Sequence, residues 1–208
     1  MKIKKILTYF AFNLILLSIT LSMQGCFPLL AGGMVSGVMV AADRRPLAVT
    51  TIDRGLQIQI EADLTKNYGD NLHVNVNVFN QKVLLTGEAK TIEIKNQIDS
   101  YVRKQSNVKT LANELQVGIP SSVSSRLTDT STYSLIKARL VATTDVPSNS
   151  MKIVVEAGRV YLLGIATDTE AKAAAVVTSK SSNGIKEVNK LFDIISEDEK
   201  KRLDGVTK

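Results

Sequence analysis

Val83-Leu84-Leu85-Thr86-Gly87-Glu88-Ala89 returns 77 residues later as Val160-Tyr161-Leu162-Leu163-Gly164-Ile165-Ala166, with Val, Leu, Gly and Ala in step. The same offset pairs Val78 with Val155, Glu93 with Glu170, Lys95 with Lys172 and Lys109 with Lys186. Upstream, a slip of one residue lays Ile60-Glu61-Ala62-Asp63-Leu64 over Ile136-Lys137-Ala138-Arg139-Leu140. Register held through helix, strand and loop is the mark of a duplicated domain.

Each copy reads alike. Ile52, Leu56, Ile60 and Leu64 step by four and give one apolar helix stripe. Residues 73–78 alternate, Val74, Val76 and Val78 against Asn75 and Asn77, as a half-buried strand does. Asn80-Gln81 turns the chain into a second strand over 82–86, a helix is expected over 91–104, and 108–117 supplies a third strand. In the second copy the corresponding elements are expected at 132–142, 151–156, 159–163, 169–179 and 185–195. The order is αββαβ twice, an α/β arrangement of α+β type in which each copy has a small three-stranded mixed sheet and two helices. Each copy has only about 65–70 residues, near the lower limit for a lone core, which points to docking between them.

The first 25 residues read as an export signal. Lys2, Lys4 and Lys5 form a basic head, an apolar run covers 6–19, and Gly25-Cys26 follows at the cleavage edge. Leu21 to Cys26 resembles the bacterial lipoprotein box, which implies cleavage before Cys26 and lipid on its sulfur. An uncleaved transmembrane anchor over 6–23 is the alternative. Phe27 stands where inner-membrane lipoproteins carry Asp, which favours the outer membrane. Residues 26–46 read as the lipidated cysteine and a membrane-proximal tether, 47–117 as the first domain, 118–130 as a linker, 131–195 as the second domain and 196–208 as a charged, fraying tail.

Totals exclude several classes. Without the three signal lysines the charge falls from +6 to +3, and there is no Trp; both argue against nucleic acid. A single Cys rules out an intramolecular disulfide. His73 is the only imidazole and reads as a solvated strand residue, and no nucleophile–base pair is in view. No catalytic residue, metal ligand or cofactor is expected, apart from the covalent lipid on Cys26. Gly87 and Gly164 close their second strands and are expected to be structural, at positions needing positive φ or close packing.

Lys82-Val83-Leu84-Leu85-Thr86-Gly87, Arg159-Val160-Tyr161-Leu162-Leu163-Gly164 and the αββαβ order resemble the BON domain. Two such copies behind a lipobox, with Asp43-Arg44-Arg45 before the first helix, resemble the dual BON-domain outer-membrane lipoproteins of Gram-negative bacteria. The resemblance implies a non-enzymatic, lipid-anchored protein facing the periplasm, which supports envelope integrity, binds anionic phospholipid through its second domain and localises to the division site.

The residues themselves separate the two copies. Tyr133, Lys137 and Val141 form a stripe at i, i+4 and i+8 beside the core positions Ile136 and Leu140. An aromatic with a polar tip, a cation and an aliphatic suit a bilayer interface; the other reading packs Tyr133 and Val141 on the first domain or the linker. The matching line in the first copy, Gln57, Glu61 and Thr65, is polar and acidic. Residues 129–195 carry eight basic and seven acidic groups, so charge alone would hold the domain weakly at a membrane. The alternative function is a periplasmic protein-interaction adaptor for outer-membrane assembly or division proteins, using spare strand edges.

Overall fold

The computed structural model describes residues 43–119 and 121–206. The signal segment, Cys26 and the tether up to residue 42 lie outside the described residues, and among those described no helix is long and apolar enough to cross a membrane.

Helix α1 (Leu47–Tyr68) buries Leu56, Ile60 and Leu64, one residue per turn on one face. It lies across a hairpin of β1 (Leu72–Phe79) and β2 (Lys82–Ala89), paired antiparallel from Leu72↔Ala89 to Phe79↔Lys82. Helix α2 (Ile92–Arg103), capped by the Thr91 hydroxyl on the Ile94 N–H, returns the chain so that β3 (Thr110–Asn113) runs parallel to β2. The expected third strand is broken. Asn113 ends β3, Leu115 turns fully into the core, and the chain rejoins β2 as the short β4 (Gln116–Val117).

The second copy repeats this with α3 (Val123–Val141), β5 (Met151–Glu156), β6 (Arg159–Ala166), α4 (Asp168–Ser179) and β7 (Glu187–Ile194), in the order β5-β6-β7 with β7 parallel to β6. Ile136, Leu140, Ile153, Val160 and Leu162 form its core as Ile60, Leu64, Val76, Val83 and Leu85 form the first. Thr167 and Glu170 make a reciprocal capping box that starts α4.

Two expectations from the sequence are corrected. The stretch read as linker is helical from residue 123, because the Ser122 hydroxyl accepts the Ser125 N–H and opens α3 about nine residues earlier than its apolar stripe suggested. The tail is helix α5 (Glu197–Val206): Glu197, Asp198 and Glu199 sit in its first turn, where the helix dipole favours acids, and Leu203 packs on the protein.

The two sheets meet face to face. Phe79 and Leu84 from the first copy cluster with Val154, Tyr161, Leu163 and Ile165 from the second. Strands β2 and β6 are therefore covered on both sides, by helices on one and by the other sheet on the second, and every residue from Val83 to Ala89 and from Val160 to Ala166 is buried. That double burial is why both signatures read as near-continuous apolar runs. Burial pushes the Tyr161 phenol up to about 12. The seam's margin is polar: Lys82 pairs with Asp193 at 2.9 Å and donates to Leu191 O, while Lys152 donates to Gln57.

Candidate functional site

Helix α3 carries the residues singled out for the membrane. Ile136 and Leu140 are fully buried and Thr132 is 5% exposed, which fixes the inward face. Asp129, also inward, accepts the Ala157 and Gly158 N–H groups at 2.8 and 3.0 Å and so caps the β5–β6 turn. At 100° per residue, Leu127, Ser134, Ala138 and Val141 fall opposite Ile136 and Leu140. Leu127 (64% exposed), Leu135 (50%) and Val141 (59%) face solvent. Three cations share the helix: Arg126 reaches Ser121 O, Lys137 reaches Ser148 O at 3.3 Å, and Arg139 reaches Lys180 O.

The three stripe residues thus have different surroundings. Val141 is on the open face. Lys137 is half-buried with its ammonium on a backbone carbonyl. Tyr133, 40% exposed, lines an open cleft of about 400 Å³ whose other wall includes Gln57 and Glu61 of α1. Leu127 and Leu135 were not anticipated; Leu127 fell in the stretch read as linker.

Arg44, read in the sequence only as part of the Asp43-Arg44-Arg45 motif, has a structural role that the sequence did not indicate. It is 6% exposed, and its guanidinium grips Glu170 with two bonds of 2.7 and 2.9 Å, Asp204 with two of 2.8 and 3.0 Å, and Ile165 O at 3.0 Å. Burial alone would raise the Glu170 carboxyl, but Arg44, Lys200 and the Thr167 N–H bring it down to about 2. The Arg44 N–H also donates to Ser150 Oγ at 3.0 Å. The described chain therefore begins on the 148–150 turn, whose Ser148 carbonyl receives Lys137 of α3. Arg45 lies 3.8 Å over the Phe79 ring and pairs with Asp43 and Asp53.

Asp53 is the partner of Asp129 in the repeat. It is 3% exposed and accepts the Asn80 and Gln81 N–H groups at 2.6 and 2.7 Å, in a turn where both residues have positive φ. Extending the one-residue slip upstream places Asp53 over Asp129, the signal that would have found both. Gly87 has φ +110°, and a Cβ there would stand 2.2 Å from His73 O; at Gly164 it would meet Ser150 O at 2.8 Å.

His73 departs from its sequence reading. Its side chain is 21% exposed and its Nδ1 lies 2.9 Å from Glu88 Oε2 at the seam, where Glu156 of the second domain stands beside it. Beside it Glu156 accepts from Asn75 at 2.6 Å and Thr86 at 3.2 Å.

The BON domain family model matches residues 53–119 and again 128–196. Outer membrane lipoprotein DolP of Haemophilus influenzae is 30% identical over 180 residues, covering 86% of this chain and 93% of that protein. The 21 kDa hemolysin of Actinobacillus pleuropneumoniae is 27% identical over 156 residues, 74% of this chain and 78% of its own. An uncharacterized protein in the gshII 5' region of Anaplasma centrale is 29% identical over 137 residues, 65% of this chain and 90% of its own. The chain belongs to the family of dual BON-domain lipoproteins.

Proposed function

We propose that this protein is an outer-membrane lipoprotein, lipidated at Cys26 and facing the periplasm, that supports envelope integrity by engaging anionic phospholipid through its second BON domain, without enzymatic activity. The observation that carries the reading is the proximity of α3 to the start of the described chain. Arg44, in the segment that would lead from the anchor, and Lys137, on the lipid-facing helix, bind the same 148–150 turn. An anchor there would hold α3 near the bilayer at high effective concentration, so weak affinity suffices. The exposed Leu127, Leu135 and Val141, with Arg126, Lys137 and Arg139, give that helix the apolar face and cationic flank of an interfacial helix. The similarity to an outer membrane lipoprotein supports the location and the envelope role.

The test uses the fragment 43–208, which lies within one compact unit, in liposome flotation. It should float with vesicles containing phosphatidylglycerol or cardiolipin and not with zwitterionic ones. Tyr133→Ala with Lys137→Glu should lose that binding while keeping its thermal transition. Unchanged flotation of the double variant would remove Tyr133 and Lys137 as the contact, and no flotation under any salt would favour the adaptor role.

A further inference from the structure

Ionisable groups are costly to bury unless each is paired. At one end of the seam, three of them converge. His73 and Glu88 are cross-strand neighbours on the β1–β2 hairpin, and Glu156 comes from the end of β5 in the other domain. One ligand atom from each lies within 4.8 Å of the others, and Glu88 and Glu156 are 8% and 7% exposed. The nearby cations are engaged elsewhere, Arg159 with Glu187 and Lys186 with Ala157 O. Two buried carboxylates thus stand beside one imidazole.

The domain fold does not require this arrangement. The 77-residue offset puts Ser150 in place of His73, Ile165 in place of Glu88 and Phe79 in place of Glu156. Phe79 and Ile165 belong to the apolar cluster of the seam, so the equivalent place in the repeat has hydrocarbon where this one has its two carboxylates. Among the described residues, the His–Glu–Glu set stands at one end of the seam alone.

We propose that His73, Glu88 and Glu156 form a binding site for one divalent transition-metal cation that bridges the two BON domains. One imidazole and two carboxylates make a donor set suited to zinc and its neighbours, whereas calcium and magnesium prefer oxygen alone. Zinc ligands stand about 2.0–2.2 Å from the metal, so a side-chain movement of about 1 Å closes the set. The cation would take the place of the proton between His73 Nδ1 and Glu88, and neutralise both carboxylates. Access is open: Glu156 borders the cleft beside Tyr133, Glu88 and Glu156 border a second cavity of about 140 Å³, and His73 keeps a solvent-facing edge. The site is independent of the lipid reading.

The chain's single histidine gives a direct reporter. Full-length protein without a histidine tag, in detergent micelles and stripped with EDTA, would be titrated with Zn²⁺, with Mg²⁺ and Ca²⁺ as separate arms. Calorimetry should show one zinc per chain and the melting temperature should rise. The lone imidazole resonance of ¹⁵N-histidine-labelled protein should shift in proportion to occupancy. His73→Gln and Glu156→Gln should each weaken zinc by more than the ~10–100-fold that loss of an outer-shell partner costs, with the EDTA-treated melt kept near wild type. Absence of saturable zinc binding would overturn the proposal. So would zinc binding that leaves the His73 resonance unmoved, a measurement that needs no variant to fold.

Discussion

Replacing Arg44 with alanine takes away the one guanidinium that joins the N-terminal segment to α4 and α5. Its two carboxylate partners are not equal. The Asp204 side chain is 40% exposed, and an exposed pair contributes up to about 1 kcal/mol. Glu170 is 7% exposed and keeps only Lys200 and the Thr167 N–H when Arg44 is gone. Removing one member of a buried pair costs about 3–5 kcal/mol. Against the cost of burial, Arg44, Lys200 and the Thr167 N–H together bring the Glu170 carboxyl down to about 2 from an ordinary 4.5, about 3 kcal/mol in all, of which Arg44 supplies the largest share. Because the folded value is depressed, this stabilisation is complete above about pH 5 and disappears as pH falls towards 2. Arg44→Ala is thus expected to lower stability at neutral pH by about 3 kcal/mol, or roughly 6–12 °C in a protein of this size. It should also flatten the stability profile between about pH 5 and pH 2. Urea melts of the 43–208 fragment across that range provide the assay. A variant within about 1 kcal/mol of wild type, or one with an unchanged acid limb, would refute the argument that Arg44 and Glu170 form the clamp.

The turn caps and the glycines give two further outcomes. Asp53→Ala and Asp129→Ala each orphan two backbone N–H groups in a hairpin turn, and at about 1.5–3 kcal/mol for a hydrogen bond to a charged group each should cost at least about 2 kcal/mol in urea melts. Gly87→Ala sets a Cβ against His73 O and strains a φ of +110°, while Gly164→Ala meets Ser150 O less closely and without positive φ. Both should lower the melting temperature, Gly87→Ala the more, with Gly87→Ala exceeding about 3 kcal/mol.

The repeat and its strands were legible because β2 and β6 are buried on both faces and write that burial into consecutive residues, Val83 to Ala89 and Val160 to Ala166. The alternation of β1 was equally visible, but alternation reports two faces and not what covers the polar one. His73 therefore looked solvated, although Glu156 of the second domain stands beside it; Asn75 is exposed, and its amide still donates to Glu156. Helix α3 was found by Ile136 and Leu140 and truncated because its first turns carry Ser124, Ser125 and Thr128, whose composition matches a linker; only the Ser122 cap marked the true start. Arg44 had no periodic signal at all. Its importance comes from Glu170 and Asp204, 126 and 160 residues away. On the candidate lipid face, Tyr133, Lys137 and Val141 could be read from helical spacing, whereas Leu127 and Leu135 could not be placed without the helix's full length.

The Arg44 clamp also gives the molecule a mechanical polarity. The two copies follow one another along the chain, yet a pull on the segment ahead of residue 43 does not travel through them in that order. At Arg44 it passes into Glu170 of the second copy and Asp204 of α5, by way of a grip made of five side-chain hydrogen bonds. Helix α1 shares the load through Arg45, which pairs with Asp43 and with Asp53. Tension between a membrane anchor and anything bound to the second copy would therefore have a route into the second copy that does not run through the first copy's sheet.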